Sequence, residues 1–339
     1  MIENLQRNPA RISYAFIVLT FVGVGCLHLA TPLLTALFGY FALTQLHLAK
    51  GRTKWLAVAL FLILVTGVAY GAALFIHRTM DALPEIADRA IPSIIAWAKE
   101  YQVELPFTDY DSLKAVATET VRDQANFLGR FANFARGAST QFLFLVVGCV
   151  VAISVFLNAQ LELEREKHAV QNNLYSLCCD EIAARFAALY RSFATVMGAQ
   201  IVIAAINTAL TAVFVLVVKM PHPIVIIGVT FCCGLLPVLG NLISNAIVVT
   251  IGFLVSPKMA FLALGFLVVI HKLEYFLNSK IIGHRIRNPL WLTLLALVLG
   301  EKLMGISGMI LAPVVLNYVR VEASRIEVKR PLDPPVGRV

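Results

Sequence analysis

The chain has 339 residues, of which 59% are hydrophobic and only 14% are charged. An ordinary soluble domain carries roughly 25% charged residues, so this composition is typical of a protein that lies largely within a lipid bilayer. The net charge of +8 is spread along the chain and forms no single basic stripe, which argues against nucleic acid as a partner.

Motifs for catalysis and metal binding are absent from this sequence. The six cysteines form no CxxC pair and no zinc-like spacing with histidine, and there is no HExxH or GxxxxGK[ST] motif. The segment from Gly305 to Gly308 matches the GxSG pattern of intramembrane serine proteases, but no histidine follows Ser307 to act as its base. We therefore expect no enzyme activity, no metal ion and no cofactor.

Apolar stretches long enough to cross a hydrocarbon core of about 30 Å recur from Ile12 to Tyr318. They predict an all-α, polytopic membrane protein with about eight hydrophobic elements. In chain order these elements are 12–30, 32–49, 55–76, 141–157, 194–218, 224–255, 259–277 and 290–318.

Two more polar stretches divide the apolar elements into groups. Residues 78–138 combine charges with helical apolar spacing, which predicts an extracytoplasmic helical hairpin shaped in its first half by prolines. Residues 162–192 are amphipathic and predict a cytoplasmic segment along the membrane surface. The remaining parts are a scaffold of three spans at 1–77, span four at 139–161, a transport core at 193–319 and a cytoplasmic tail at 320–339.

Lysine and arginine positions predict the orientation. If each broken segment described below returns to the side it entered from, only Lys219 and Lys258 fall in the short loops opposite the N-terminus. Because positive residues accumulate in short cytoplasmic loops, both termini are predicted to be cytoplasmic. Single through-spans would give the same charge pattern, so this count leaves the path of the broken segments open.

Two of the apolar elements are interrupted by helix-breaking residues. Leu235–Asn241 interrupts one, and Gly300–Gly308 interrupts another. Unpaired backbone groups at membrane depth are tolerated only inside protein or beside a watery cavity, and transporters build binding sites from such elements. The predicted hinge and gate positions are Pro237, Gly240, Asn241, Gly305, Gly308 and Pro313.

The strongest candidates for a coupling site are polar residues near the end of element 259–277. His271, Glu274 and Asn278 are spaced three and four residues apart, so they share one helical face. Glu274 lies about 24 Å along the helix from Lys258, in the inner half of the membrane. An ionisable group at that depth suits proton coupling. The alternative is an interfacial carboxylate paired with a neighbouring lysine.

Other polar residues are weaker candidates for a role in transport. Glu301, in the second break, is either a gate or ion-pairing group or part of a solvated hairpin tip. Gln200, Asn207 and Asn245 either line a substrate path or form hydrogen bonds between helices and at helix ends.

The C-terminal third resembles the autoinducer-2 exporter family, also called PerM-type permeases. The resemblance is carried by the stretch from Leu273 to Gly283, by the run Trp291–Leu299 and by the first break. Ser279 departs from it, since many members have proline there. The family positions that match this chain are Glu274, Pro237, Gly240, Gly305, Gly308 and Pro313.

The resemblance implies a permease of the bacterial inner membrane that exports small solutes. It also implies a homo-oligomer, and the form it suggests is a pentamer. The partners it implies are membrane lipid and a small-molecule or ion substrate. Members have been linked to export of autoinducer-2 and others to sodium/proton antiport.

The function expected from sequence is secondary export of a small polar solute such as an autoinducer-2-like signal. The export is expected either to be coupled to protons or another ion or to be facilitative. In this expectation the substrate lies between the two breaks. The alternatives are a sodium/proton antiporter and a membrane scaffold that acts through the outer hairpin.

Overall fold

The computed structural model describes residues 9–50, 53–102, 127–158, 173–236, 239–277 and 289–325. Within these ranges the chain forms nine helices and no strand. They are α1 (Pro9–Cys26), α2 (Ala30–Lys50), α3 (Lys54–Glu100), α4 (Phe127–Leu157), α5 (Leu174–Val217), α6 (Pro223–Gly234), α7 (Leu239–Val255), α8 (Pro257–Leu277) and α9 (Leu290–Ala323).

The helices confirm the prediction of an all-α membrane protein. Five of the described helices contain segments long and apolar enough to cross a bilayer, within α1, α3, α4, α5 and α9. The helices α6 and α7 are apolar but shorter than a full span, because the chain breaks between them. Each predicted apolar element corresponds to a helix or, at this break, to a pair of helices.

The polar segment predicted to begin at residue 78 starts within a helix. Helix α3 continues through that position to Glu100, so its 47 residues extend for about 70 Å. The proline positions 84 and 92 lie within this helix. Residues 127–138 in turn belong to α4, and the intervening 103–126 lie outside the described residues. The two described ends of the predicted hairpin are therefore helical extensions of spans three and four.

Helix α3 packs along several other helices. Its Phe61 belongs to a buried cluster with Leu43 of α2 and Phe156 of α4. Further along, Trp97 packs against Phe253 and Phe261, with ring centroids 6.0 and 5.5 Å away. These two phenylalanines flank the tight turn between α7 and α8. The extension of α3 thus packs against α8 and against α7, the helix that follows the first break.

The contacts divide the chain into two compact units. One unit comprises Met1–Val22, Leu163–Val196 and Ile286–Val339, and the other comprises Gly23–Glu162 and Met197–Arg285. Helix α9 with the second break belongs to the first unit, whereas α6, α7 and α8 belong to the second.

A buried charge network holds the first unit together. Glu322 is 3% exposed and accepts hydrogen bonds from Tyr14 Oη at 3.1 Å and Arg325 Nη1 at 2.9 Å. Arg185 Nη1 also donates to Glu322, while Arg185 Nη2 donates to Glu181 Oε2 at 2.9 Å. A buried carboxylate requires such donors, since desolvation costs several kcal/mol. The network links α1, α5 and the end of α9, including residues predicted to form a cytoplasmic tail.

The second break is a reversal of the chain within α9. Gly305 has φ +61° and ψ −144°, outside the helical region. In a straight helix the backbones of Gly300 and Gly308 would be about 12 Å apart. Here a Cβ on Gly300 would lie 2.5 Å from the Gly308 carbonyl oxygen. The two arms of α9 therefore fold back on each other, and glycine at both contact positions permits the close approach.

Substituting alanine for Gly305 tests this reversal. A φ of +61° at this ψ is essentially restricted to glycine, so Gly305→Ala should destabilise the fold by about 1–3 kcal/mol. The measurement is thermal unfolding of the purified protein in detergent. Gly265→Ala is the matched control, since Gly265 lies in α8 with no atom within 4 Å of an added Cβ. Equal melting temperatures for both variants would contradict a strained turn at Gly305.

Candidate functional site

The first break lies between α6 and α7, which pack against each other. A Cβ on Gly240 would overlap the Cys233 carbonyl group, so the second arm begins in direct backbone contact with the end of the first. Gln200 of α5 donates from Nε2 to the Gly234 carbonyl oxygen at 2.6 Å. This bond satisfies one of the carbonyls left unpaired at the end of α6. Pro237 itself lies outside the described residues.

Glu274 of α8 is tied to this break by amide hydrogen bonds. Asn241, in the first turn of α7, donates from Nδ2 to both carboxylate oxygens of Glu274 at 2.7 Å. Asn207 of α5 donates from Nδ2 to Glu274 Oε2 at 3.1 Å. Three segments far apart in sequence thus meet at one carboxylate.

The groups bonded to Glu274 are dipoles that donate hydrogen bonds. Asn241 lies at the amino end of α7, where unpaired backbone N–H groups and the helix dipole give a partial positive charge. The two asparagine amides add neutral donors. Within the described part of the chain, the carboxylate is therefore bonded by neutral amide dipoles.

A small cavity lies beside the carboxylate. It encloses about 20 Å³, which is enough for one water-sized species. The helices α5, α6, α7 and α8 all contribute to its wall. The lining residues are Asn207, Thr211, Thr230, Asn241, Ser244, Asn245, Leu267, Ile270, His271 and Glu274.

Two buried polar atoms at the cavity have no hydrogen-bond partner among the described residues. They are Asn207 Oδ1 and Thr230 Oγ1, in residues that are 6% and 9% exposed. Buried polar groups are nearly always paired, so these two atoms are exceptions to the usual pattern. The wall of the cavity is mostly polar, and it includes one carboxylate.

The structure brings together most of the residues singled out in the second unit. Glu274, His271, Asn207, Asn241 and Asn245 all line the cavity, with His271 exposed and Asn245 half-buried. Gln200 instead bonds to the backbone at the end of α6. Asn278, predicted to share the face of Glu274, lies outside the described residues.

The predicted residues of the second break belong to the first unit. Glu301 is exposed and pairs with the neighbouring Lys302 at 3.7 Å. Gly308 is buried in the contact with Gly300. Pro313 is buried inside the helical part of α9. Among the residues of this helix, only Gly305 has a backbone conformation outside the helical region.

Sequence reasoning missed the hydroxyl residues of the cavity. Thr211, Thr230 and Ser244 line it and are each buried. All three are polar residues within apolar runs, the same signal that singled out Gln200 and Asn207. Threonine and serine commonly bond to their own helix backbone, so this signal is weaker for them than for asparagine.

Comparison with known proteins identifies the family of this chain. The sequence profile described as AI-2E family transporter matches residues 12–321, which is most of the chain. The chain belongs to the AI-2E transporter family. This assignment makes it a membrane transport protein, and it confirms the resemblance read from the C-terminal motifs.

A curated relative of this AI-2E family chain is YdbI of Bacillus subtilis (strain 168), whose name gives it a provisional role in transport. It is 31% identical over 134 residues, which cover 39% of this chain and 38% of the relative. The match therefore spans well under half of either protein.

A substitution at Gln200 distinguishes a structural role in hydrogen bonding from contact with the transported solute. Gln200→Leu removes the donor to the Gly234 carbonyl and should cost about 1–3 kcal/mol of stability, measured by thermal unfolding in detergent. Thr195→Val, on the same helix, removes an exposed bond to its own backbone and should have little effect. If Gln200→Leu unfolded like the wild type and altered only the concentration dependence of transport, Gln200 would contact the solute instead.

Proposed function

We propose that this protein is a secondary transporter that couples ion movement to export of a small polar solute through Glu274. The observation that carries this proposal is the carboxylate itself. It lies beside the first break, is bonded by Asn207 and Asn241, and borders a polar cavity. If α8 lies within the membrane, as its apolar sequence predicts, an ionisable residue in it is a functional candidate, because lipid would exclude it otherwise.

The bonding pattern supports a coupling role in particular. Asn241 belongs to the broken segment, so the charge state of Glu274 determines how strongly the amino end of α7 is held. Hydrogen bonds to a charged acceptor are stronger than those to a neutral one. Protonation of Glu274 would therefore loosen the break, and deprotonation would tighten it. Such a link between an ion and a mobile backbone element is what coupled transport requires.

The size of the cavity restricts what it holds at one time. A volume of about 20 Å³ admits one water-sized species, so a sugar-like solute does not fit without movement of the surrounding helices. The residues around the cavity thus support ion binding at Glu274 more directly than they support binding of the solute. The broken helices α6 and α7 supply a wall that could move to admit a larger solute.

The proposed setting is the inner membrane of a bacterial cell with both termini cytoplasmic. We propose further that the two breaks are re-entrant hairpins and that the protein works as a homo-oligomer. The charge distribution supports the orientation, the short arms α6 and α7 support re-entrance at the first break, and the reversal at Gly305 supports it at the second. The family assignment supports the oligomer by analogy alone.

Proton flux in proteoliposomes tests the coupling role of Glu274. The vesicles contain a pH-sensitive dye and are challenged with an autoinducer-2-type sugar-like solute and, separately, with sodium. Wild type should show proton movement on at least one challenge, and Glu274→Gln should abolish it because the variant cannot bind and release a proton there.

The matched control is Glu301→Gln. It makes the same chemical change at an exposed carboxylate paired with Lys302, and flux should persist. Equal flux in wild type and Glu274→Gln would contradict coupling through Glu274. Loss of flux in both variants at unchanged expression would show that the effect is not specific to the cavity.

A further inference from the structure

The ion pair between Arg185 and Glu322 joins two helices of the first unit. Arg185 lies on α5 and Glu322 lies near the end of α9, 137 residues apart. Tyr14 of α1 contacts both, since its ring centroid lies 4.5 Å from Arg185 Cζ and its Oη donates to Glu322 Oε2 at 3.1 Å. The side chains of Arg185 and Glu322 are only 16% and 4% exposed. This pair, called the bridge below, therefore connects α5 and α9 beneath the surface of the unit.

Each ion of the bridge has a second partner close to it in sequence. Arg185 Nη2 donates to Glu181 Oε2 at 2.9 Å, one helical turn earlier on α5. Glu322 Oε1 accepts a bond from Arg325 Nη1 at 2.9 Å, three residues later. The side chains of these local partners, Glu181 and Arg325, are 39% and 52% exposed. If α5 and α9 separated at the bridge, two local ion pairs would remain, each with a member that already meets water.

The local partners lower the cost of opening the bridge. Removing one partner from a buried ion pair is strongly unfavourable, because it leaves an uncompensated charge. Here neither Arg185 nor Glu322 would be left alone. The local partners also weaken the closed form, because Glu322 is shared between two arginines and Arg185 is shared between two glutamates. A bridge of this kind separates at a lower cost than an isolated buried pair.

We propose that the bridge is a latch that opens and closes between α5 and α9 while both local ion pairs stay intact. Opening would release the end of the α9 arm that follows the reversal at Gly305. A transporter must change between conformations, and packed elements do so by breaking and forming discrete contacts. This inference goes beyond the proposed function and does not depend on Glu274, which belongs to the second unit.

Tyr318 provides a native reporter of the latch. It lies four residues before Glu322, on the same face of α9, and is 5% exposed. Opening of the latch would bring this ring into contact with water. The measurement is hydroxyl-radical oxidation of the purified full-length protein in lipid nanodiscs, read out by mass spectrometry. Tyr101, which is 63% exposed and belongs to the second unit, is the internal reference for the oxidation rate.

Neutralising the two local partners tests the latch most sharply. Glu181→Gln combined with Arg325→Gln keeps the bridge but removes the charges that stabilise its open form. The oxidation rate of Tyr318 relative to Tyr101 should fall about twofold or more below that of wild type, because opening then leaves both bridge ions without a partner. A network that only braces the closed form would respond in the opposite direction or not at all, since each of its members adds to its stability.

A second variant and a matched control complete the experiment. Arg185→Gln removes the bridge itself and should raise the relative oxidation rate of Tyr318 about twofold or more. Glu301→Gln combined with Lys302→Gln neutralises one charge of each sign in an exposed ion pair of the same helix. This control should give the oxidation rate of wild type.

Four results would overturn the latch. They are an unchanged or higher oxidation rate of Tyr318 when Glu181 and Arg325 are neutralised, and an unchanged rate in Arg185→Gln. Complete protection of Tyr318 in wild type would show that the bridge never opens. An equal fall in the control variant would show that loss of charge in general, and not loss of the local partners, lowers the rate.

Discussion

A carboxylate within an apolar helix bundle is stable only if donors replace the water it has lost. Glu274 is half-buried, and Asn207 and Asn241 donate hydrogen bonds to its carboxylate oxygens. This requirement places α5, the amino end of α7 and the end of α8 around one point. The position of the first break, the cavity and the proposed coupling all follow from that arrangement.

Backbone contacts made possible by glycine are the second condition for the architecture. At the first break, Gly240 lies against the Cys233 carbonyl, and at the second, Gly300 and Gly308 lie against each other. Each contact brings two short helical arms closer than any side chain would allow. The breaks are thus compact elements in which the arms support each other, although they belong to different compact units of the chain.

The sequence was informative where the signal was local. Long apolar runs predicted the helices closely, and clusters of proline, glycine and asparagine predicted both breaks. The amphipathic segment after span three was harder, because helical spacing does not show whether α3 ends at residue 78 or continues to Glu100. The hydrogen bond between Asn207 and Glu274 joins residues 67 positions apart, and that between Arg185 and Glu322 joins residues 137 apart. Such pairings depend on tertiary packing and carry no local sequence pattern.

The most direct test of this account is a double-mutant cycle between Asn241 and Glu274. Asn241→Ala, Glu274→Ala and the double variant are compared with wild type by the free energy of unfolding in detergent. If the carboxylate holds the broken segment, the two substitutions should be non-additive, with a coupling free energy of about 1–3 kcal/mol. Additivity within about 0.5 kcal/mol would contradict the account, since it would show that the break and the carboxylate are energetically independent.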